Sequence, residues 1–312
     1  MAAIDLGTNN CRLLIAQPAR GGALRIVDSF SRIVRLGEGL AASGELAPAA
    51  IDRTVAALKI CAERIKKSGA RRVRAIATHA SRNARNAQVL IDRVAAETGL
   101  TLEIVSADEE ARLAAIGCAP LIGHRHAGAL VFDVGGGSTE VIWMRRRKAE
   151  IETVQSASEP VGVVSLAEMH GGGPQDRACY ERMRAEMTAL FAPARDAMAG
   201  FAPQTHHLLG TSGTVTTLAG VALGLDRYVR AKVDGTWHAC ADILRTIDRI
   251  VALDRDGRAA VGCIGPDRAD LVVPGCAIFA AIATLWPCAQ LRVADRGLRE
   301  GILRELAAGA RR

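Results

Sequence analysis

Asp133-Val-Gly-Gly-Gly-Ser-Thr-Glu140 sets two carboxylates at the ends of a glycine turn that directly follows the apolar residues Val131 and Phe132. Glycine has no Cβ, so the amides of Gly135, Gly136 and Gly137 can approach a ligand closely, and with the Ser138 and Thr139 hydroxyls they can cradle phosphate oxygens. Asp133, at the end of a strand, can hold a divalent cation directly or through water. A glycine triplet alone is an ordinary loop, which is the expectation for Gly171-Gly172-Gly173; the flanking acids give the first triplet its chemical content.

Asp5-Leu-Gly-Thr-Asn-Asn10 is a weaker copy of the same pattern, with Gly7, Thr8 and Asn9 as a second phosphate clamp. A third glycine turn, Gly210-Thr-Ser-Gly-Thr214, precedes an expected helix, so Ser212, Gly213 and Thr214 can present amides to an anion at the helix start. No Gly-Lys-Ser/Thr follows, which excludes the P-loop pattern. Glu109 and Glu110 lie in Ser106-Ala-Asp-Glu-Glu-Ala-Arg-Leu113, where Ser106 or Asp108 can cap a helix and an acid in the first turn favours the helix dipole. On the residues alone, a structural and a chemical reading of that acidic pair both stand.

Arg82 in Thr78-His-Ala-Ser-Arg-Asn83 is placed on a loop after a strand and suits a guanidinium fork on phosphate. Arg145, Arg146 and Arg147 read as a solvated hairpin tip. His206 and His207 lack metal-ligand spacing and read as structural, and nothing requires His79 to react.

The elements that must position these residues are legible from periodicity. The chain opens with strand, tight turn and strand, continues in strand-like fashion over 25–36, and enters a helix at Pro48 with Ile51, Val55, Leu58, Ala62 and Ile65 on its apolar face. Strands are expected over 73–78 and 102–105 and helices over 86–98 and 108–118, an alternating α/β order. Val131-Phe132-Asp133-Val134-Gly135 then repeats Ala3-Ile4-Asp5-Leu6-Gly7. Such internal similarity predicts two domains of related fold: 1–124, joined by a C-terminal helix within 298–312, and 125–297, with the cleft between them as the ligand site. In the second half helices are expected over 175–199, 214–222 and 238–253, with strands over 207–209 and 291–293.

Composition is permissive. The 312 residues are 49% hydrophobic and 3% aromatic, which favours small side chains in closely packed helices and strands. A formal charge of +7 suits anionic ligands without naming one. The eight cysteines include no CxxC pair and read as reduced core thiols. The start of the chain has no secretory pattern, so the cytoplasm is the expectation. The uncharged run 271–288 reads as a buried helix rather than a membrane span, because Pro274, Gly275 and Pro287 interrupt it.

Seven stretches together resemble one family: Ala3-Ile-Asp-Leu-Gly-Thr-Asn9, Arg35-Leu-Gly-Glu-Gly39, Thr78-His-Ala-Ser-Arg-Asn-Ala84, Asp108-Glu-Glu-Ala-Arg-Leu113, Phe132-Asp-Val-Gly-Gly-Gly-Ser-Thr-Glu140, Gly210-Thr-Ser-Gly-Thr214 and Asp295-Arg-Gly-Leu-Arg-Glu-Gly301. The chain is similar to the exopolyphosphatase and guanosine pentaphosphate (pppGpp) phosphohydrolase family. The resemblance implies an α/β fold of two ribonuclease H-like (actin-like ATPase) domains with an interdomain cleft. It implies hydrolysis of the terminal phosphate of inorganic polyphosphate, with pppGpp as the rival substrate, Mg2+ or Mn2+ as cofactor, a homodimer, and neither nucleic acid nor membrane as partner. Glu110 then corresponds to the catalytic glutamate with Glu140 as its partner, and Asp5, Asp133 and Glu140 face the metal. Two departures are present. The chain stops near residue 312 without the helical C-terminal region of longer members, so the resemblance does not extend to processivity on very long chains, and Ser158-Glu-Pro-Val-Gly162 keeps the family's glycine but not every neighbour. An ATP-dependent kinase or a non-enzymatic phosphate sensor would share the fold; the acidic pair and the absence of an acceptor motif weigh against the first, and the retained carboxylates against the second.

Overall fold

A computed structural model describes residues 1–19, 23–148, 150–171 and 175–309. The chain folds as two compact units, Met1–Gly117 with Leu298–Arg312, and Cys118–Gly297.

The first unit is built on a five-stranded sheet of order β3-β2-β1-β4-β5. Its strands are β1 (Ala2–Leu6), β2 (Asn10–Pro18), β3 (Leu24–Ile33), β4 (Val73–Ala77) and β5 (Leu102–Ile104). β1, β2 and β3 form an antiparallel meander, while β4 and β5 join parallel to β1 and to each other. The helix Pro48–Ser68 begins where expected, with proline in the first turn and Gly69 closing it at φ 67°. Its residues Ile51, Val55, Leu58, Cys61 and Ile65 are buried in the core of this unit with Ile4, Leu6, Leu13 and Ile15. The C-terminal helix Leu298–Ala308 belongs to the same unit. A Cβ on Gly301 would lie 2.0 Å from the Leu113 carbonyl oxygen, so only glycine lets this helix touch the backbone of helix Ala107–Cys118.

The second unit has a six-stranded sheet of order β10-β11-β9-β6-β7-β8. Its strands are β6 (Gly128–Val134), β7 (Thr139–Arg147), β8 (Glu150–Glu159), β9 (His206–Thr211), β10 (Trp237–Ala239) and β11 (Gln290–Val293). The meander β6-β7-β8, followed by β9 parallel to β6 and β11 parallel to β9, repeats the order of the first sheet. β10 is the addition, an antiparallel edge strand on β11. β6 is buried along its length except at Asp133, as befits a central strand covered on both faces. Phe132, Trp143, Phe191 and Phe279 fill the core of this unit.

Several elements differ from expectation. Arg82 is on a one-turn helix, His79–Asn83, rather than a loop. The helix expected from residue 238 starts at Cys240, because Trp237, His238 and Ala239 pair with β11 instead. β8 and the helix Val163–Met169 carry no strong periodic signal and were not anticipated. The helix expected over 175–199 runs Arg177–Met198, with the Asp176 carboxylate accepting from the Cys179 amide as its cap. The uncharged run forms the helix Val272–Leu285, buried from Val272 to Ile282, and among the described residues no helix is long and apolar enough to cross a membrane. Of the glycine loop at 171–173, Gly172 and Gly173 lie outside the described residues, as do residues 310–312 of the C-terminal segment.

Candidate active site

In the second unit, strand register assembles a row of side chains. Asp133 on β6 is opposite Glu140 on β7, Glu140 is opposite Ser158 on β8, and on the other side Asp133 is level with Thr211 on β9. Directly opposed residues share a sheet face. Ser158 Oγ donates to Glu140 Oε1 at 2.9 Å, and Glu140 is only 2% exposed. Two opposed carboxylates repel, and the pair gains from a cation held beside it.

The turn joining β6 to β7 is closed by the Gly135 amide donating to the Ser138 carbonyl at 2.9 Å. Its carbonyls face a helix start: the Val163 amide donates to Gly135 O at 3.0 Å and the Val164 amide to Gly136 O at 2.8 Å. A Cβ on Gly162 would lie 2.4 Å from Gly135 O and 2.5 Å from the Gly136 carbonyl carbon, so this glycine permits the helix to seat against the turn. With the carbonyls so engaged, no acceptor is found among the described residues for the amides of Gly136, Gly137 and Ser138. Thr139 is fully buried and its hydroxyl donates to the Val161 carbonyl at 2.7 Å, a bond that anchors the turn.

The third glycine turn is in the same unit. Ser212 has φ 89°, a left-handed conformation that costs a non-glycine residue about 1–3 kcal/mol and is characteristic of functional sites. Its Oγ is buried without a partner among the described residues. Thr214 packs against Gly275, where a Cβ would lie 2.7 Å from Thr214 Cγ2. Thr211 Oγ1 donates to the Arg296 carbonyl, which fixes Gly297 beside the site: a Cβ there would lie 3.4 Å from Thr211 Oγ1 and 3.9 Å from Asp133 Oδ2. The preceding residues are held by ion pairs, Arg296 with Asp234 at 2.7 Å and Asp295 with Arg230, and the Tyr228 hydroxyl donates to the Asp295 carboxylate.

The first unit repeats the turn and changes the chemistry. The Gly7 amide donates to the Asn10 carbonyl at 2.9 Å, matching the Gly135 bond, and Thr8 and Asn9 are buried beside it. Here the residue opposite Asp5 is Arg12, where the second unit has Glu140 opposite Asp133. Burial pushes the Asp5 carboxyl above the ordinary range, the Arg12 and Arg299 charges oppose that shift, and Glu300 adds to it.

The two members of the acidic pair have separate surroundings. Glu109 joins an ion network: Arg74 reaches it at 3.0 Å and Arg112 at 2.7 Å, and both arginines also pair with Glu305. These bonds hold the Glu109 carboxyl below its usual range, Arg112 being the larger influence. Glu110 meets Arg82 instead, at 3.2 Å, while Arg82 also donates to the Val105 carbonyl at 2.8 Å. Of the two candidate caps, Ser106 takes the role, its Oγ accepting from the Glu109 amide at 3.2 Å. His79, beside this pair, is pushed down to about 4 by burial and then by Arg82, so its imidazole is neutral at neutral pH.

Arg145 and Arg146, expected at a solvated hairpin tip, are half-buried, whereas Arg147 is exposed. Arg145 and Arg146 donate to the carbonyls of Phe201 and Ile122. His207 is buried, accepts from the Gly123 amide at 3.1 Å, and is pushed down to about 4 by burial. No group of three or more His, Cys, Asp or Glu that could cage a metal is found among the described residues. The Asp133 and Glu140 pair fits a hard divalent cation all the same, because such an ion can be held by one or two carboxylates, with water and substrate phosphates completing the shell.

The contacts that seat Gly162 and the Arg35–Gly39 loop were missed from sequence, as was the Glu109 ion network; Glu110 was set apart from Glu109 by the family resemblance alone. A glycine that follows Ser158-Glu-Pro at a helix start was the one available signal for the first.

A three-strand meander with a glycine turn after its first strand, extended by two parallel strands and present twice, defines a protein of two actin-like units with phosphate-type turns. The chain belongs to the Ppx/GppA phosphatase family, whose sequence model matches residues 14–309. It is 35% identical to exopolyphosphatase 2 of Mycobacterium tuberculosis, over 98% of each chain. Among solved structures, an exopolyphosphatase from Cytophaga hutchinsonii matches with a TM-score of 0.88 at 26% identity, covering 99% of this chain and 97% of that one. The Aquifex aeolicus member of the Ppx/GppA family matches with a TM-score of 0.79 at 28% identity, covering 100% and 98%.

Proposed function

We propose that this chain is an exopolyphosphatase, releasing orthophosphate from the end of inorganic polyphosphate by attack of water. The observation that carries the reading is the Asp133 and Glu140 pair beside a turn whose Gly136, Gly137 and Ser138 amides have no protein acceptor among the described residues. That set combines carboxylates for a hard cation with donors for phosphate oxygens. The name of the M. tuberculosis relative supports polyphosphate as the substrate.

In this reading Glu110 accepts a proton from the attacking water or orients it, and Arg82, now on Glu110, turns to a phosphate oxygen. The amides of Gly136, Gly137 and Ser138, with Ser212 Oγ, donate to the oxygens on which charge accumulates. Gly7, Thr8 and Asn9, with Gly213 and Thr214, provide further contacts of the same kind. Thr139, expected from sequence among the phosphate contacts, supports this machinery through its bond to Val161 instead, and Glu109 supports it through its ion network. Asp133 and Glu140 would hold Mg2+ or Mn2+, which supplies neutralisation of phosphate charge. Asp5, with arginine opposite it, serves better as a charge partner for Arg12 than as a principal metal ligand. Function as a homodimer in the cytoplasm completes the proposal.

The family's name joins two substrates, so the discriminating experiment is direct competition. With Mg2+ present, kcat/KM for polyphosphate is expected to exceed that for pppGpp by at least about tenfold, a difference of about 1.4 kcal/mol in transition-state binding. A preference of that size for pppGpp would reverse the assignment.

A further inference from the structure

Gly297 is buried beside Asp133 and Thr211, yet neither packing nor backbone conformation accounts for a glycine there. Other buried glycines of this unit are set by contact: a Cβ would lie 2.4 Å from Gly135 O at Gly162, 2.6 Å from Phe132 Cζ at Gly210 and 2.7 Å from Thr214 Cγ2 at Gly275. At Gly297 the nearest atoms among the described residues are Thr211 Oγ1 at 3.4 Å, Asp133 Oδ2 at 3.9 Å and Thr211 Cγ2 at 4.0 Å, which are ordinary contact distances. Its φ lies outside the left-handed region. A methyl group would therefore fit, but in the space beside the carboxylate proposed to hold the cation. The position directly precedes the helix Leu298–Ala308, where glycine caps better than alanine; serine caps at least as well, so capping does not demand glycine either.

The segment before Gly297 is held by Asp234. Arg296 reaches Asp234 Oδ2 with Nε at 2.8 Å and Nη2 at 2.7 Å, and Asp234 Oδ1 accepts from the Asp295 amide at 3.1 Å. The backbone around Asp234 is tied down in turn, its own amide donating to the Arg230 carbonyl and the Gly235 amide to the Val293 carbonyl, both at 2.8 Å. The Arg296 carbonyl accepts from Thr211 Oγ1 and from Cys118 Sγ, the latter at 3.4 Å. Asp234 thus fixes both residues that lead into Gly297, although it belongs to none of the three phosphate-type turns.

We propose that the Arg296–Gly297 segment forms a wall of the cation site, with Gly297 kept free of a side chain so that a hydrated divalent ion fits against Asp133, and with Asp234 as the positioning residue that holds the wall in place. The proposal rests on the reading of Asp133 as a cation ligand. A small divalent ion keeps several of its waters, and those waters need volume beside the carboxylates that bind it. Groups outside the ligand set commonly alter metal affinity by about 10- to 100-fold, by fixing the ligands and the space around them.

The test is Mn2+ titration of the full chain without substrate, followed by the electron paramagnetic resonance signal of free Mn2+, with thermal unfolding alongside. Mn2+ bound by the unsubstituted chain and lost in Asp133→Asn defines the site. Gly297→Ala is expected to weaken that binding by about tenfold and, through the poorer cap, to lower the unfolding temperature by about 2–4 °C. Gly297→Ser is expected to restore the unfolding temperature without restoring Mn2+ affinity. Asp234→Asn, which keeps an acceptor for the Asp295 amide but loses the charge that holds Arg296, is expected to weaken Mn2+ binding by about three- to tenfold. Recovery of both properties in Gly297→Ser would make the glycine a helix cap and nothing more. Unchanged Mn2+ affinity in Gly297→Ala or Asp234→Asn, or no Mn2+ binding that depends on Asp133, would equally overturn the proposal. Phosphate release from polyphosphate by the unsubstituted chain, assayed in parallel, separates the two ideas: its absence sinks the exopolyphosphatase reading and leaves the comparison of Mn2+ affinities standing.

Discussion

Glu110→Gln is expected to lower turnover on polyphosphate by about 10²- to 10⁴-fold while leaving KM within about threefold. The substitution keeps the volume and the contact with Arg82 but removes the negative charge that accepts or orients a water proton. Glu109→Gln, one residue earlier, provides the internal control. Its carboxylate is bound to Arg74 and Arg112 at 3.0 and 2.7 Å, so its loss should affect stability by about 1 kcal/mol or less and leave turnover within about twofold. Steady-state kinetics on the two variants, with thermal unfolding alongside, distinguishes a catalytic carboxylate from a structural one. Equal losses of turnover in both would remove Glu110 from its role.

Asp133→Asn should have an effect of similar size by a different route. Asparagine keeps the shape of the side chain and removes one of two opposed charges, so the pair with Glu140 loses much of its attraction for a divalent cation. A cation at a phosphoryl oxygen is worth several kcal/mol, so turnover at fixed Mg2+ should fall by about 10²- to 10³-fold. The signature is the cation dependence: the Mg2+ concentration for half-maximal rate should rise in Asp133→Asn and remain unchanged in Glu110→Gln. A Mg2+ requirement unaltered by Asp133→Asn would place the cation elsewhere.

The tertiary plan was legible because it is written in repeated local patterns. Ala3-Ile-Asp-Leu-Gly7 and Val131-Phe-Asp-Val-Gly135 both become the first strand of a meander, and both turns close with the same glycine amide bond to the residue three positions on. The long helices were legible for a related reason, since Pro48 and Gly69 punctuate a strong apolar face. What stayed hidden depends on partners distant in sequence. β10 is three residues long and exists because β11 offers it an edge, against which a helical reading from residue 238 had equal local support. Arg82 reaches its place through a one-turn helix too short to show periodicity. Glu109 and Glu110 are adjacent, and only the positions of Arg74, Arg112, Glu305 and Arg82 around the helix tell one from the other. In the same way, the Asp133 and Glu140 facing pair follows from strand register, seven residues apart in sequence but directly opposite in the sheet.

The central claim is that water cleaves the chain-end phosphate. Hydrolysis of a polyphosphate of uniform length in ¹⁸O-enriched water, with Mg2+ and products resolved by mass, tests it most directly. The account predicts orthophosphate carrying one solvent oxygen per phosphate released and a population of chains that shorten from the end. Fragments from internal cleavage, or orthophosphate without the solvent label, would contradict it.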